Sequence, residues 1–157
     1  MKKVLIFQEP FRIEHPTSDD QLGYIMTETI NQAKCIDLGE FIEVNDLPKE
    51  GYAQALRRII ADRKPAWVIA AGESATSCLN LHRQPKILIN PKVTFNDLNN
   101  VPERARKITW GFFDASPDNE HSYELFQTVY PNSAWYLKTP HLQPADLADL
   151  IKTIIND

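Results

Sequence analysis

Three residues combine the chemical types and the chain order that nucleophilic catalysis needs. Ser74 stands in Gly72-Glu73-Ser74-Ala75-Thr76, Asp114 closes Gly111-Phe112-Phe113-Asp114, and His141 follows Lys138-Thr139-Pro140. An imidazole can draw the proton from a serine hydroxyl. A carboxylate can hold that imidazole in the productive tautomer and stabilise its charged form. Ser74 follows an apolar run and a glycine and has small neighbours. A nucleophile elbow has this pattern, because its turn is sharp and its hydroxyl is lifted off the end of the strand. A helix starting there would also supply free N–H groups and the positive end of its dipole. Each residue has a bland reading as well. Ser74 is a good helix N-cap, His141 can be an ordinary turn histidine, and Asp114 can be a strand-end aspartate. Asp118 competes for the acid role.

The elements that would position these residues are legible as alternating patterns. Apolar runs at residues 4–7, 67–71, 87–89, 108–113 and 134–137 are rich in β-branched and aromatic residues and bounded by Pro, Gly or Asn. Such runs predict strands buried on both faces. A weaker sixth covers 35–38, with 41–44 as its possible continuation. Between the runs lie stripes of helical period. Leu22, Ile25, Met26, Ile30 and Ala33 form one, opened by Thr17 and Ser18. Tyr52, Leu56, Ile59 and Ile60 form a second. Leu125, Phe126, Val129 and Tyr130 form a third, ended by Pro131. Leu147, Leu150, Ile151 and Ile154 form the last, with Pro144 at its first position. The alternation predicts a three-layer α/β fold with a mostly parallel sheet of about six strands. Ligands bind such sheets at the carboxyl ends of the strands, so Ser74, Asp114 and His141 are expected to share one rim.

With these motifs in order, the chain resembles the α/β-hydrolase superfamily, and within it the compact, lidless, esterase-like members. The resemblance spans nearly the whole chain. Residues 4–7 match the strand before the oxyanion loop, and Gly72-Glu73-Ser74-Ala75-Thr76 matches the elbow. Ile87-Leu88-Ile89-Asn90-Pro91 matches the apolar strand ending in Asn-Pro. Gly111 to Asp114 matches the acid loop, its glycine favouring Asp114 over Asp118, and Pro140-His141 matches the histidine loop. The resemblance implies a cofactor-free hydrolase of a carboxylic ester, thioester or amide, with a small-molecule acyl substrate. Ser74 would be the nucleophile, His141 the general acid/base and Asp114 its orienting carboxylate. The Ala75 N–H would be one oxyanion donor.

The chain departs from the family in two places. Thr76 stands where the elbow usually has a second glycine, which implies a slightly displaced helix. Gln8-Glu9-Pro10 stands where the family has His-Gly and a backbone donor. Proline has no N–H, so Phe11 would have to supply the second oxyanion donor, and Glu9 would oppose a developing negative charge. Losing one such donor costs about 10²–10³ in rate. A non-catalytic relative, binding a small ligand or a protein partner, is the alternative that these departures favour. The connection at 90–106 is too short for a cap domain, which implies an open, shallow pocket.

Composition narrows the remaining classes. The chain has 157 residues, 43% hydrophobic and 24% charged, with a net charge of −4. These values fit one globular domain over 1–157. They argue against a nucleic-acid groove, which needs clustered Lys and Arg. The densest basic group, Arg57, Arg58, Arg63 and Lys64, reads as a solvated helix face. The first apolar run is too short for a signal peptide, and no stretch has the ~18–20 apolar residues of a membrane span. A cytoplasmic location with no membrane partner is therefore expected. Cys35 and Cys78 lack metal-ligand spacing and read as buried free thiols. His15, His82 and His121 offer no ligand pair, so no metal is expected. His82 reads as a helix C-cap and His121 as exposed in the first turn of a helix. Asp19, Asp20, Glu40 and Glu43 read as solvated charges. Trp67, Trp110 and Trp135 read as strand packing. The first loop lacks the glycines of a dinucleotide-binding turn, which disfavours a nucleotide site.

Overall fold

Among the described residues, all five strand-to-strand pairings are parallel, and together they join six strands in the order β2-β1-β3-β4-β5-β6. The computed structural model describes residues 3–8, 37–43, 51–114, 117–137 and 144–156. Within them the chain runs β1 (Lys3–Gln8), β2 (Asp37–Glu43), α1 (Tyr52–Arg63), β3 (Trp67–Ala71), α2 (Glu73–Cys78) and β4 (Lys86–Ile89). It continues with a 3₁₀ turn (Phe95–Leu98), α3 (Glu103–Arg106), β5 (Thr109–Asp114), α4 (Pro117–Val129), β6 (Ala134–Leu137) and α5 (Pro144–Asn156). The expected helix at 17–33, and Cys35, lie outside the described residues.

The alternation of side chains along each strand divides the core in two. Val4, Ile69, Ile87, Ile89 and Phe112 point to one face, where Ile151, Ile154 and Ile155 of α5 cover them. Leu5, Phe7, Val68, Ala70, Leu88 and Phe113 point to the other. There they meet Leu56 and Ile60 of α1, Ala75 and Cys78 of α2, and Phe126 of α4. β4 is buried along its whole length, as the two-faced packing of a parallel strand demands. Arg57, Arg58, Arg63 and Lys64 are exposed, as the solvated-face reading has it. Trp67 and Trp110 pack partly buried on the sheet. Trp135 stacks on Phe112 with 6.2 Å between ring centroids.

Three details differ from the sequence pattern. β2 is one continuous strand whose apparent break is a bulge: Val4 pairs with Leu38 and Leu5 with Glu40, leaving Gly39 as the extra residue. β5 begins and ends one residue later than its apolar run. Asp114 is therefore the last residue of the strand, in register with Leu137, rather than part of the loop beyond it. The connection from 90 to 106 is not plain loop but carries the 3₁₀ turn and α3.

The order places β1 and β3 side by side, with β2 on one flank and β4 on the other. The chain leaves β1 for one flank and, after β2, enters β3 on the opposite flank. This reversal is the topological switch point of a doubly wound sheet, and it opens a crevice at the carboxyl ends of the two strands.

Candidate functional site

β3 delivers Ser74 to the rim beside this switch point. The turn after Ala71 is made by Gly72, at φ 62° and ψ −125°. This is the backbone of the first central residue of a type II′ turn, where a Cβ is strained and glycine is the default. Gly72 is also the N-cap of α2. Ser74 therefore does not cap the helix. It lies within the first turn of α2, with 0% exposure, and so does Ala75. The strain of the turn sits two residues before the serine, because only the glycine has positive φ there.

Hydrogen bonds knit this turn to the next strand. The Gly72 N–H donates to Ile89 O at 2.9 Å, and Gly72 O accepts the Thr76 N–H at 3.1 Å. The Thr76 hydroxyl donates to the same carbonyl at 3.3 Å and accepts the Lys92 N–H at 2.8 Å. The Thr76 Oγ1 thus bridges the turn and the loop after β4. That loop starts at Asn90, which is left-handed (φ 52°) and buried. Asparagine is among the few residues that accept this conformation. The Asn90 N–H reaches Phe112 O at 2.8 Å. Further on, the Val93 N–H donates to Ser122 Oγ of α4 at 3.2 Å. The Thr94 N–H and hydroxyl both donate to Asp97 Oδ2, at 2.8 and 2.9 Å. The connection that sequence reasoning treated as a plain joiner is pinned over its first residues to β5, to α2 and to α4.

Asp114 ends β5 on the same edge of the sheet, two strands from β3. His141, Phe11 and Pro10 lie outside the described residues, as do His15, Asp19 and Asp20. Gly111 has a packing explanation of its own: a Cβ there would stand 2.6 Å from Cε1 of Phe126. Asp118 is exposed in the first turn of α4. Among the described residues, no group of three His, Cys, Asp or Glu could hold a metal ion. None of the helices there is long and apolar enough to cross a membrane.

The opposite, amino edge holds a second polar cluster that composition did not reveal. Lys86 opens β4 with 0% exposure. Its Nζ donates to Leu81 O at 2.8 Å, Thr109 Oγ1 at 3.0 Å and Gln84 O at 3.4 Å. Burial pulls its pKa down to about 8, with the neighbouring Cys78 opposing. Cys78 is a free, buried thiol, and burial pushes it up to about 12. His82 sits beyond the end of α2 with its N–H on Asn80 O, so it is not a helix C-cap. Its ring is pushed below the usual histidine range, first by burial and then by the Lys86 charge. Burial raises the Tyr130 phenol, against the Arg106 charge and a hydrogen bond with Thr109. His121 is exposed on α4, in its second turn rather than its first.

Fold and rim together define an all-parallel, doubly wound α/β protein with a strained glycine turn at the switch point. No family model matches the chain, and neither a curated protein nor a solved structure matches it significantly.

Proposed function

We propose that the chain is a small serine hydrolase acting on a carboxylic ester, thioester or amide. The observation that carries this reading is the shared edge: the Ser74 turn follows β3, and Asp114 ends β5, at the carboxyl end of one parallel sheet. One intervening strand separates them, which corresponds to about 10 Å. His141 comes four positions after Leu137, the end of β6. Four residues reach at most about 14 Å, and β6 stands three strand spacings, also about 14 Å, from β3. An imidazole between the serine and the carboxylate is within reach of the chain.

In this mechanism the Ser74 hydroxyl attacks the acyl carbonyl while His141 takes its proton. The tetrahedral oxyanion is held by the Ala75 N–H, which precedes the first intrahelical bond of α2, and by the Phe11 N–H in place of Pro10. His141 then protonates the leaving group, Asp114 stabilises the imidazolium, and water cleaves the acyl-serine by the same route. Attack requires the Ser74 hydroxyl, 0% exposed, to be uncovered on substrate entry.

That burial favours a second reading. A serine fully enclosed in regular helix, with the strain on Gly72, suits a non-catalytic relative that binds a small ligand or a protein partner. A fluorophosphonate probe separates the two. Labelling forms a bond from Ser74 Oγ to phosphorus, expels fluoride and passes the hydroxyl proton to the base. The hydrolase reading expects labelling of the wild type that disappears in Ser74→Ala and falls steeply in His141→Ala. Folded wild type that takes no label would exclude it in favour of the second reading.

A further inference from the structure

We infer that Thr76 is a positioning residue for Ser74, acting through a hydroxyl relay that joins two loops of the rim. The inference rests on the hydrolase reading and deepens it, because it assigns a role to the residue by which this chain departs from the usual elbow glycine. Lys92 N–H donates to Thr76 Oγ1 at 2.8 Å, and Thr76 Oγ1 donates to Gly72 O at 3.3 Å. The hydroxyl is thus donor to one loop and acceptor from the other, an arrangement in which each bond polarises the next. Gly72 O also receives the Thr76 N–H, and Gly72 N–H is held by Ile89 O. The peptide planes before and after Gly72, the second of which leads into Glu73 and Ser74, are therefore both held at a residue whose φ of 62° would otherwise leave it free to relax.

The geometry explains why threonine suits this position. Glycine could not supply the bridge. Valine would fill the same volume but leave the Lys92 N–H without its acceptor, and the turn would lose its second tie to the loop after β4. Serine would keep both bonds. The effect on Ser74 is indirect: the Thr76 hydroxyl is bonded to Gly72 and Lys92, and it sets where the serine hydroxyl starts its attack. Displacing a reacting atom by about 1 Å can cost about 10²-fold.

The test is the saturable kinetics of fluorophosphonate labelling in the wild type, Thr76→Val and Thr76→Ser, with folding checked by circular dichroism. For Thr76→Val the maximal inactivation rate is expected to fall by about 10–10²-fold, while the half-saturating probe concentration and the pH midpoint of labelling stay put. Thr76→Ser is expected to return to within a few-fold of the wild type. If Thr76→Val does not fold, Thr76→Ala removes the same hydroxyl without adding bulk and carries the comparison. A labelled wild type with an unchanged rate in folded Thr76→Val or Thr76→Ala overturns the inference alone. So does a loss in Thr76→Ser equal to that in Thr76→Val, which would mean that packing and not the hydroxyl matters. A wild type that takes no label removes the hydrolase reading, and the inference falls with it.

Discussion

Lys86 makes the stability of this fold rise with pH where most proteins level off. Its ammonium is fully buried, and its hydrogen bonds among the described residues go to uncharged acceptors: two backbone carbonyls and the Thr109 hydroxyl. Burial lowers the pKa from 10.5 to about 8. Between these values the unfolded chain holds the proton and the native state has released it. The unfolded state thus binds more protons, and stability increases with pH through this window. The whole difference is on the order of 3 kcal/mol, of which about 1 kcal/mol should appear between pH 7 and pH 9. Cys78 acts in the opposite direction, because its thiol is raised from 9.0 to about 12. It keeps its proton in the native state while the unfolded chain loses it, so stability falls above pH 9, and by that point the loss is smaller than the Lys86 gain. His82, held below the usual histidine range, removes stability only as the pH drops through the ordinary value of 6.5. The Tyr130 phenol, raised above 10.0, contributes only beyond it. The window from 7 to 9 therefore isolates Lys86. Urea unfolding at pH 7, 8 and 9 should show the rise in the wild type and none in Lys86→Met. At pH 7 the variant should lie near the wild type. Removing the buried charge gains about 3 kcal/mol, and losing its bonds to Leu81 O and Thr109 Oγ1 costs about 1.5–3 kcal/mol each, while Leu81 O keeps the Gln84 N–H and Thr109 keeps Tyr130. An equal rise in both proteins, or a wild type whose stability falls from pH 7 to 9, would refute the account.

Three other perturbations test the packing around the rim and the core. Gly111→Ala sets a Cβ 2.6 Å from the Phe126 ring, itself wedged against Phe113 and Tyr130. It should cost about 1–3 kcal/mol in urea unfolding, partly restored by adding Phe126→Leu, and a neutral result would contradict the close approach. Gly72→Ala forces a Cβ onto φ 62°, ψ −125°, so it should lose about 1–3 kcal/mol by the same assay; a loss within about 0.5 kcal/mol, no more than an ordinary surface change, would show that the turn has other ways to close. Cys78, with 0% exposure and a thiol at about 12, should resist a disulfide reagent at pH 8 until urea unfolds the chain, and rapid native labelling would count against its burial.

The layered fold was legible because its signals are redundant. Five separate apolar runs and three helical stripes agree on one alternation; each run recurs as a strand within one residue of its bounds, and each stripe falls on a helix, although α4 starts at Pro117, well before its first striped residue Leu125. β2 was the weak point for a physical reason. Gly39 bulges out of the pairing with β1 and breaks the two-residue period on which strand recognition relies. Lys86 was illegible because its burial is a tertiary fact. A lysine at the head of an apolar run ordinarily reads as the point where the strand meets solvent, and the acceptors that hold it come from the turn before β4 and from β5. Gly111 was noticed for its spacing to Asp114, yet its local cause is a phenylalanine on a helix that the sequence places a dozen or more residues away.

The rim shows how far a motif carries geometry. Gly72-Glu73-Ser74-Ala75-Thr76 announces a sharp turn between a strand and a helix, and such a turn is present. The motif does not say which residue absorbs the strain. A backbone at φ 62° and ψ −125° excludes most side chains, so glycine takes it when one is available at the strand end, and Gly72 does. Ser74 is then left in relaxed helix, enclosed rather than lifted. With that strain taken up at Gly72, the placement proposed for the serine hydroxyl rests on what fixes the glycine. Ile89 O fixes the peptide group before it. On the other side stand the Thr76 amide and hydroxyl, the latter anchored in turn to Lys92. The threonine by which the chain departs from the usual elbow pattern is, in three dimensions, a tie between the Gly72 turn and the loop after β4.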